Sequence, residues 1–384
     1  MIQLRRVVIP AVLLSFLFIT LFFKDDTIIR ETWKIRRKLS FTGMIHDPHS
    51  TALKPPAGMI HDPHSTALKP RIWRYAPAPC APSSGKEDRF SYSWQRNNPS
   101  RQGFLFARPT KTGSTSFSFA MIRAAKLLGQ RSGEADYCRF QTVHEKATHM
   151  KYAERVADES YLFSLLRDPN KRSVSQFFYN GLTLGRKDKK PTPQYFKKFL
   201  LHNPIELHST YIEQLRFYPK LQGRRAVKHI LHAYDFIGIT ERMDESLVVW
   251  SLLLGLKLED ILHLKSNEGG GMLSIPGQCF EVPKAFVSPE MQAFLDSPEW
   301  KAIVKWDYVL YNYANKSLDA TIDHLGREGV ERQVAQFQAL QRQVETTCRP
   351  ITKFPCSSDG IYQEDHDCLE ACGMTCLDAF QSTI

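Results

Sequence analysis

Residues 104–117 read FLFARPTKTGSTSF, and this stretch decides the fold that the sequence predicts. Its apolar start, Phe104 to Ala107, predicts a short buried strand, and apolar residues at helical spacing follow from Phe117 to Leu128. Between them lies a loop with a single glycine, Gly113, which lets the backbone approach an anion at the positive end of the helix. The stretch therefore predicts a strand, a phosphate-binding loop and a helix.

The side chains of this loop suit a phosphate group. Lys111 adds a full positive charge, and Ser114 or Thr115 could cap the helix. A nucleoside triphosphate loop would place its lysine after a second glycine, whereas Lys111 precedes the only glycine, so a kinase is disfavoured. The predicted phosphate ligands are Lys111, Thr112, Gly113, Ser114, Thr115 and Ser116.

A second apolar run, Tyr161 to Leu166, predicts another strand that ends directly in Arg167. A charged residue at the carboxyl end of a parallel strand faces the ligand crevice. Pro169 predicts the first turn of a helix, which carries Ser175. We expect Arg167 and Ser175 to bind a second phosphate group.

Strands that alternate with helices predict an α/β fold, with a parallel sheet flanked by helices in the manner of P-loop proteins. The remaining pattern predicts a strand over 137–143, a helix over 247–256 and a strand over 258–264. A long amphipathic helix over 318–344 is expected to break near Gly326. Its apolar stripe is most simply core packing, although it could also pair with a second copy of the chain.

These segments resemble the carbohydrate sulfotransferases of the Golgi, especially uronyl 2-O-sulfotransferases and galactose 3-O-sulfotransferases. The loop from Lys111 to Phe117 is similar to that family's Pro-Lys-Thr-x-Ser-Thr-Ser-Phe motif, with Thr110 where the family usually has proline. The segment from Arg167 to Ser175 is similar to its Arg-Asp-Pro-x2-Arg-x2-Ser motif. The resemblance extends over roughly residues 100–320 and includes a later strand and helix near 236–247.

The resemblance implies a donor, 3′-phosphoadenosine 5′-phosphosulfate, with its 5′-phosphosulfate on the Lys111 loop and its 3′-phosphate on Arg167 and Ser175. It implies transfer of the sulfuryl group to a hydroxyl of a glycan acceptor, without a metal ion. The alternative is a catalytically inactive relative that binds a glycan or a nucleotide.

Sulfuryl transfer needs a cation for the charge that develops on the leaving group and a base for the acceptor's proton. Lys111 is the expected cation. His149 is the first candidate for the base, because with Tyr152 it reproduces the His-x2-Tyr of the uronyl enzymes, and His144 is the second. Arg108 matches a family arginine implicated in acceptor binding.

The N-terminal region predicts a membrane anchor. Residues 7–23 are uncharged and apolar, which favours a short signal anchor behind a tail of residues 1–6 over a cleaved signal peptide, since no small-x-small site follows. The positive charges that flank this run, taken alone, favour the opposite topology. Residues 24–98 predict an extended stem in which 43–55 recurs at 58–70, a 15-residue period.

The cysteines indicate an oxidising compartment. The chain has eight, five of them in a tail over 346–384. Disulfides are favoured over zinc, because no pair has the Cys-x2-Cys spacing. With the sequon Asn315-Lys316-Ser317, this predicts a single-pass type II Golgi membrane protein whose catalytic domain, 99–345, is luminal.

The net charge of +11 fits an anionic partner, although the donor is itself anionic. Basic runs at 186–190 and 224–228 could hold an anionic glycan or could be solvated surface. Nucleic acid is not an expected partner, because a luminal domain would rarely meet it.

Overall fold

The structure is a computed structural model that describes residues 68–81, 101–133, 135–183, 190–202, 210–265, 271–368 and 371–381. The predicted tail and anchor, most of the stem and most of the basic run 186–190 lie outside these residues. In the described part of the chain, no helix combines the length and the apolar composition needed to cross a bilayer.

A four-stranded parallel sheet forms the centre of the domain. Its strands are β1 Gly103–Ala107, β2 Phe140–Val143, β3 Ser160–Leu166 and β4 Phe236–Ile239. They lie in the order β2-β1-β3-β4, so the chain leaves β1 on one side for β2 and returns to its other side for β3. Every residue of β1 and β3 is buried, as expected for a parallel sheet covered on both faces. The α/β prediction is confirmed.

Helices surround this sheet. In chain order they are α1 Ser114–Ser132, α2 Pro169–Gln176, α3 Pro193–His202, α4 Tyr211–Leu215, α5 Gly223–Ala233, α6 Met243–Leu254, α7 Pro289–Leu295, α8 Pro298–Leu325, α9 Arg327–Cys348 and α10 Met374–Gln381.

An aromatic cluster holds α1 and α6 against the sheet. The indole of Trp250 on α6 lies with its centroid 5.9 Å from that of Phe104 and 5.3 Å from that of Phe163. Phe117 of α1 completes the cluster at 5.5 Å from Trp250. All four side chains are fully buried, and each contributes about 1.5–3 kcal/mol or more through loss of apolar contact with water. The apolar residues of the opening motif therefore anchor the loop between them.

The strand predicted over 258–264 is wrong. Residues Leu258–Ile261 form a 3-10 turn, because the buried carboxylate of Asp260 accepts a hydrogen bond from the amide of Lys257 at 3.0 Å. The guanidinium of Arg131 binds the same carboxylate through two hydrogen bonds of 2.6 and 2.8 Å. The segment is apolar because it is a buried turn, not because it pairs in the sheet.

Two further predictions concern the second half of the domain. The long amphipathic helix breaks as expected, at Gly326, where α8 ends and α9 begins with a φ of 90°. A two-stranded antiparallel hairpin, β5 Met272–Ile275 and β6 Gln278–Glu281, was not expected from the pattern.

All eight cysteines form disulfides, which confirms disulfides over zinc. The pairs are Cys80–Cys138, Cys279–Cys356, Cys348–Cys376 and Cys368–Cys372. The first bond joins Cys80, within the predicted stem, to Cys138, which precedes β2. Trp73 in that stretch is only 1% exposed, so residues 71–81 pack as part of the domain.

The sequon lies in an unexpected setting. It falls inside α8, where the side-chain oxygen of Asn315 accepts a hydrogen bond from Arg242 at 2.9 Å. Ser317 is fully buried. A glycosylated sequon normally occupies a surface loop, so this location does not support glycosylation at Asn315.

Candidate functional site

The phosphate loop, defined as residues 108–116, is tightly folded between β1 and α1. Gly113 has a φ of 69°, and a Cβ there would lie 3.1 Å from Cε of Met243 and 3.3 Å from Cγ2 of Thr240. Lys111 also adopts a left-handed conformation, with a φ of 62°, which is uncommon for lysine. Gly113 is therefore required both by its backbone angle and by its crowded surroundings.

The N-terminus of α1 differs from the prediction. Gly113 is its N-cap residue, and neither Ser114 nor Thr115 caps the helix, because both already lie in its first turn. No side chain accepts a capping hydrogen bond at this end. The first amides of α1 are consequently suited to bind an anion rather than a side-chain oxygen.

Several loop hydroxyls have partners within the protein. The hydroxyl of Thr112 donates to the carbonyl of Pro109 at 2.8 Å and is buried, so it shapes the loop. The hydroxyl of Thr115 accepts from Nη2 of Arg108 at 3.3 Å. Ser114 is buried in the first turn of α1, and Ser116 is half-buried.

Lys111 lies between an aromatic ring and a second cation. Its Nζ is 3.5 Å from the ring centroid of Tyr179. Burial, with a smaller contribution from the charge of Arg167, lowers the pKa of Lys111 to about 8. A negatively charged ligand would raise the pKa of Lys111 again, because it would oppose the effects of burial and of the charge of Arg167. The surroundings of Lys111 therefore favour a bound anion.

The segment after β3 meets the phosphate loop directly. Nη1 of Arg167 donates to the carbonyl of Lys111 at 3.4 Å. The buried guanidinium of Arg172 donates from Nε to the carbonyl of Thr110 at 3.0 Å. The two predicted phosphate segments therefore lie side by side at the carboxyl ends of β1 and β3. This is the point where the strand order reverses, the usual ligand site of an open α/β sheet.

Helix α2 begins as predicted. The carboxylate of Asp168 caps it by accepting from the amide of Lys171 at 2.9 Å. Ser175, near the end of this helix, is half-buried.

Sequence reasoning missed the support behind Arg167. The hydroxyl of Tyr211 donates to the carbonyl of Arg167 at 2.7 Å and accepts from its amide at 3.0 Å. The buried carboxylate of Asp307 holds Tyr211 by accepting from its amide at 3.0 Å. Burial raises the pKa of Asp307 to about 6. Asp307 lies 96 residues after Tyr211 in sequence, so no local pattern could have indicated this contact.

His144 contacts the phosphate loop. Its Nδ1 lies 2.9 Å from the carbonyl oxygen of Arg108, and because a carbonyl only accepts, Nδ1 carries the proton. Nε2 is then the unprotonated nitrogen. Desolvation, followed by the charges of Arg108 and Lys111, lowers the pKa of His144 well below its usual range. By its accessible surface, the residue as a whole is nevertheless exposed.

His149 has different neighbours. Its side chain is 56% exposed, and its Nδ1 lies 3.3 Å from a carboxylate oxygen of Glu145. Tyr152, the other half of the His-x2-Tyr pattern, is buried in the core. The described contacts therefore connect His144, and not His149, with the phosphate loop.

A cavity of about 810 Å³ opens beside the loop. Its near end is formed by Arg108, whose guanidinium donates to the hydroxyls of Thr142 and Thr115 at 3.2 and 3.3 Å. Its far wall consists of the hairpin β5–β6 and residues 354–359 of the tail. Arg108 thus lies where the phosphate loop meets the cavity.

Two other sequence features can be placed. The basic run 224–228 lies on α5, where Arg224, Arg225 and Lys228 form the exposed face of an amphipathic helix. Among the residues that the structure describes, no group of three or more His, Cys, Asp or Glu side chains is arranged to hold a metal ion.

Comparison with known proteins gives one family and two relatives. The family model described as galactose-3-O-sulfotransferase matches residues 99–353, well over half of the chain. Among curated proteins, the galactosylceramide sulfotransferases of Homo sapiens and Mus musculus are each 24% identical to this chain. The human match covers 50% of this chain and 46% of that protein, and the mouse match 48% and 44%. The chain therefore spans about half the length of these relatives.

Proposed function

Because this chain belongs to the galactose-3-O-sulfotransferase family, we propose that it transfers the sulfuryl group of 3′-phosphoadenosine 5′-phosphosulfate to a hydroxyl of a glycan that ends in galactose. In this reaction the bond between sulfur and the leaving phosphate oxygen breaks. A bond between sulfur and the sugar oxygen forms, and adenosine 3′,5′-bisphosphate leaves. We also place the domain in the Golgi lumen, where its four disulfides would persist.

The single observation that carries this proposal is the contact between the two phosphate segments. Nη1 of Arg167 donates to the carbonyl of Lys111, so the guanidinium that follows β3 contacts the backbone of the loop that follows β1. A donor with phosphate groups at both ends of its ribose could bind both segments at once. The amides of α1 and Lys111 would take the phosphosulfate, and Arg167 with Ser175 would take the 3′-phosphate.

Lys111 would also stabilise the charge that develops on the leaving phosphate. Burial and the charge of Arg167 lower the pKa of Lys111 to about 8 in the protein alone. An anionic donor beside it would raise that pKa, so the lysine would be charged when the sulfuryl group moves. The left-handed backbone of Lys111 is consistent with a residue held in place for such a role.

We propose His144 rather than His149 as the base. The carbonyl of Arg108 fixes the proton of His144 on Nδ1, which leaves Nε2 free to accept the proton of the sugar hydroxyl. The imidazolium that forms would keep its hydrogen bond to the same carbonyl. The lowered pKa of His144 makes it a weak base on its own, but the negative charge of a bound donor would oppose the effect of Arg108 and Lys111.

The experiment is transfer of labelled sulfate by the full chain to a panel of galactosides, with adenosine 3′,5′-bisphosphate and adenosine triphosphate as competitors. We expect labelled galactoside, and inhibition by the bisphosphate but not by the triphosphate. Binding of the bisphosphate without transfer to any galactoside would favour the inactive relative. A folded chain that does not bind the bisphosphate would overturn the proposal.

A further inference from the structure

A π-helical segment, Phe177–Gly181, continues directly from α2 and brings a tyrosine to the phosphate loop. The ring centroid of Tyr179 lies 3.5 Å from Nζ of Lys111, and the residue is half-buried. The wider turn of a π-helix is rare in proteins and often occurs at functional sites. The segment that follows the second phosphate motif therefore contacts the lysine of the first.

The backbone on both sides of Lys111 is held by hydrogen bonds to its neighbours' carbonyls. The guanidinium of Arg172 donates to the carbonyl of Thr110 at 3.0 Å, and the hydroxyl of Thr240 donates to the carbonyl of Thr112 at 2.6 Å. The side chain of Lys111 keeps its own rotatable bonds, and a lysine side chain is among the most flexible in proteins. Its ammonium therefore needs a contact of its own to occupy one position.

The ring of Tyr179 provides such a contact. A cation within about 6 Å of the centroid of an aromatic face is attracted by the electrons of the ring. Among the residues that the structure describes, no carboxylate offsets the effects of burial and of Arg167 on the pKa of Lys111. A carboxylate would compete with an anionic donor for the lysine, whereas a neutral ring attracts the cation and has no net charge that would repel the donor.

The segment that carries the ring is itself packed firmly. Phe177 lies with its centroid 5.1 Å from that of Phe196 on α3. The hydroxyl of Tyr195, also on α3, donates to the carbonyl of Gly181 at 2.9 Å. Burial raises the pKa of Tyr179, so its hydroxyl stays protonated and the ring stays neutral near neutral pH.

We propose that Tyr179 is a positioning residue for sulfuryl transfer, whose ring holds the ammonium of Lys111 charged and in place before the donor binds. This inference rests on the proposed function. One side of the ammonium lies against the ring, and N–H groups on its other sides remain to bind the leaving phosphate. Because Tyr179 follows the helix that carries Ser175, the position of the lysine also depends on the segment proposed to bind the 3′-phosphate.

Groups from several elements act on the charge of Lys111. Arg167, after β3, lowers the pKa of Lys111 through its own charge. His144, after β2, is close enough for the charge of Lys111 to lower the pKa of the imidazole. The ring of Tyr179 acts in the opposite sense to Arg167, because it favours the charged lysine. Removal of the ring should therefore lower the pKa of Lys111 further.

The test compares Tyr179→Leu, which removes the ring, with Tyr179→Phe, which removes only the hydroxyl. The pKa of Lys111 is measured in the full chain by nuclear magnetic resonance titration of isotopically methylated lysines. The signal of Lys111 is assigned by its loss in Lys111→Arg. We expect Tyr179→Leu to lower the pKa of Lys111 by about one pH unit, and Tyr179→Phe to leave it unchanged.

The same variants should differ in transfer of labelled sulfate. Tyr179→Leu should lower kcat by roughly tenfold, whereas Tyr179→Phe should keep it within about twofold. Tyr179→Leu should also move the basic limb of kcat/KM for the donor to lower pH, because kcat/KM reports the free enzyme. Tyr195→Leu is the matched control, since it removes a ring that packs 5.5 Å from Phe177 on the same segment. Any loss of stability in this control should leave the basic limb in place.

An unchanged pKa of Lys111 in Tyr179→Leu, or an equal change in Tyr195→Leu, would overturn the positioning role. Equal loss of activity in Tyr179→Phe and Tyr179→Leu would assign the effect to the hydroxyl and would overturn it as well. A wild type that transfers no sulfate, while the titration of Lys111 still depends on the ring, would overturn the proposed function and the role in transfer, but not the contact.

Discussion

The phosphate loop and the far wall of the cavity are built in different ways. The loop follows a strand of the central sheet, and its main contacts, such as that between Arg167 and the carbonyl of Lys111, join segments with recognisable local motifs. The far wall combines the two-stranded hairpin β5–β6 with tail residues, and the disulfide between Cys279 and Cys356 joins the two. The loop is the proposed donor end of the site, and local sequence sets most of it, whereas a cross-link between distant residues sets the far wall.

The largest expected effect falls on the donor end. Replacing Lys111 with alanine removes the cation that we propose stabilises the leaving phosphate, and we expect kcat to fall by roughly 10³-fold, the upper range for loss of one electrostatic contact in an active site. Single-turnover transfer of labelled sulfate measures this. Lys228→Ala is the control, since Lys228 lies on the exposed face of α5. Equal activity of the two variants would show that the loop does not carry the chemistry.

The second prediction separates the two histidines. His144→Asn keeps a donor in place of Nδ1 but removes the nitrogen proposed to accept the proton, so kcat should fall by roughly 10²-fold or more. His149→Asn should change it by less than about threefold, because His149 contacts Glu145 on the surface. The reverse ranking would return the assignment to the His-x2-Tyr pattern.

The pH profile gives an independent check on the same base. Only unprotonated His144 accepts a proton, so the rate should fall as pH drops through its pKa in the donor complex. The pKa of His144 is lowered in the free protein, and the negative charge of the donor should raise it. Because kcat reports the substrate complex and kcat/KM for the donor reports the free enzyme, the acidic limb of kcat should lie at higher pH than that of kcat/KM for the donor. The rate profiles of wild type and His149→Asn should coincide.

A smaller effect is expected from the shape of the phosphate loop. Gly113→Ala introduces a Cβ at a φ of 69°, close to Met243 and Thr240, so it should weaken donor affinity by about tenfold and lower the free energy of unfolding by about 1–2 kcal/mol. Gly255→Ala is the matched control, because Gly255 has a φ of 67° and nothing within 4 Å of the added Cβ. It should lose stability but keep donor affinity. Loss of affinity in both variants would assign the effect to general instability.

The same contrast explains how much the sequence could predict. The strands and helices around the phosphate loop were predicted because each is a continuous apolar or amphipathic run. The hairpin β5–β6 has no such run, and the disulfide Cys279–Cys356 joins it to the tail. The turn Leu258–Ile261 depends on the buried carboxylate of Asp260, which binds the distant Arg131. The sequence favours His149 because the His-x2-Tyr pattern is local, whereas the contact of His144 with the carbonyl of Arg108 joins residues 36 apart and has no local signal.

The donor end also depends on Asp307, a residue that is distant from it in sequence. This buried carboxylate holds Tyr211, whose hydroxyl in turn holds the backbone of Arg167, so the donor end also depends on a distant residue. The pKa of Asp307 is raised to about 6 in the folded state, above its ordinary value in the unfolded chain. Between pH 3.8 and about 6, the folded protein therefore binds more protons than the unfolded chain. The stability that protonated Asp307 contributes at low pH is lost as pH rises through about 6.

Asp307→Asn tests this dependence. The free energy of unfolding of the wild type, minus that of the variant, should decrease by about 2–3 kcal/mol between pH 4 and pH 7, since each pKa unit corresponds to about 1.4 kcal/mol. Chemical denaturation across this range measures the difference. Asp323→Asn, an exposed change on the same helix, should show no such slope. A difference that does not vary with pH would mean that Asp307 stays ionised in the folded protein, held by the amides of α4 and the charge of Arg172.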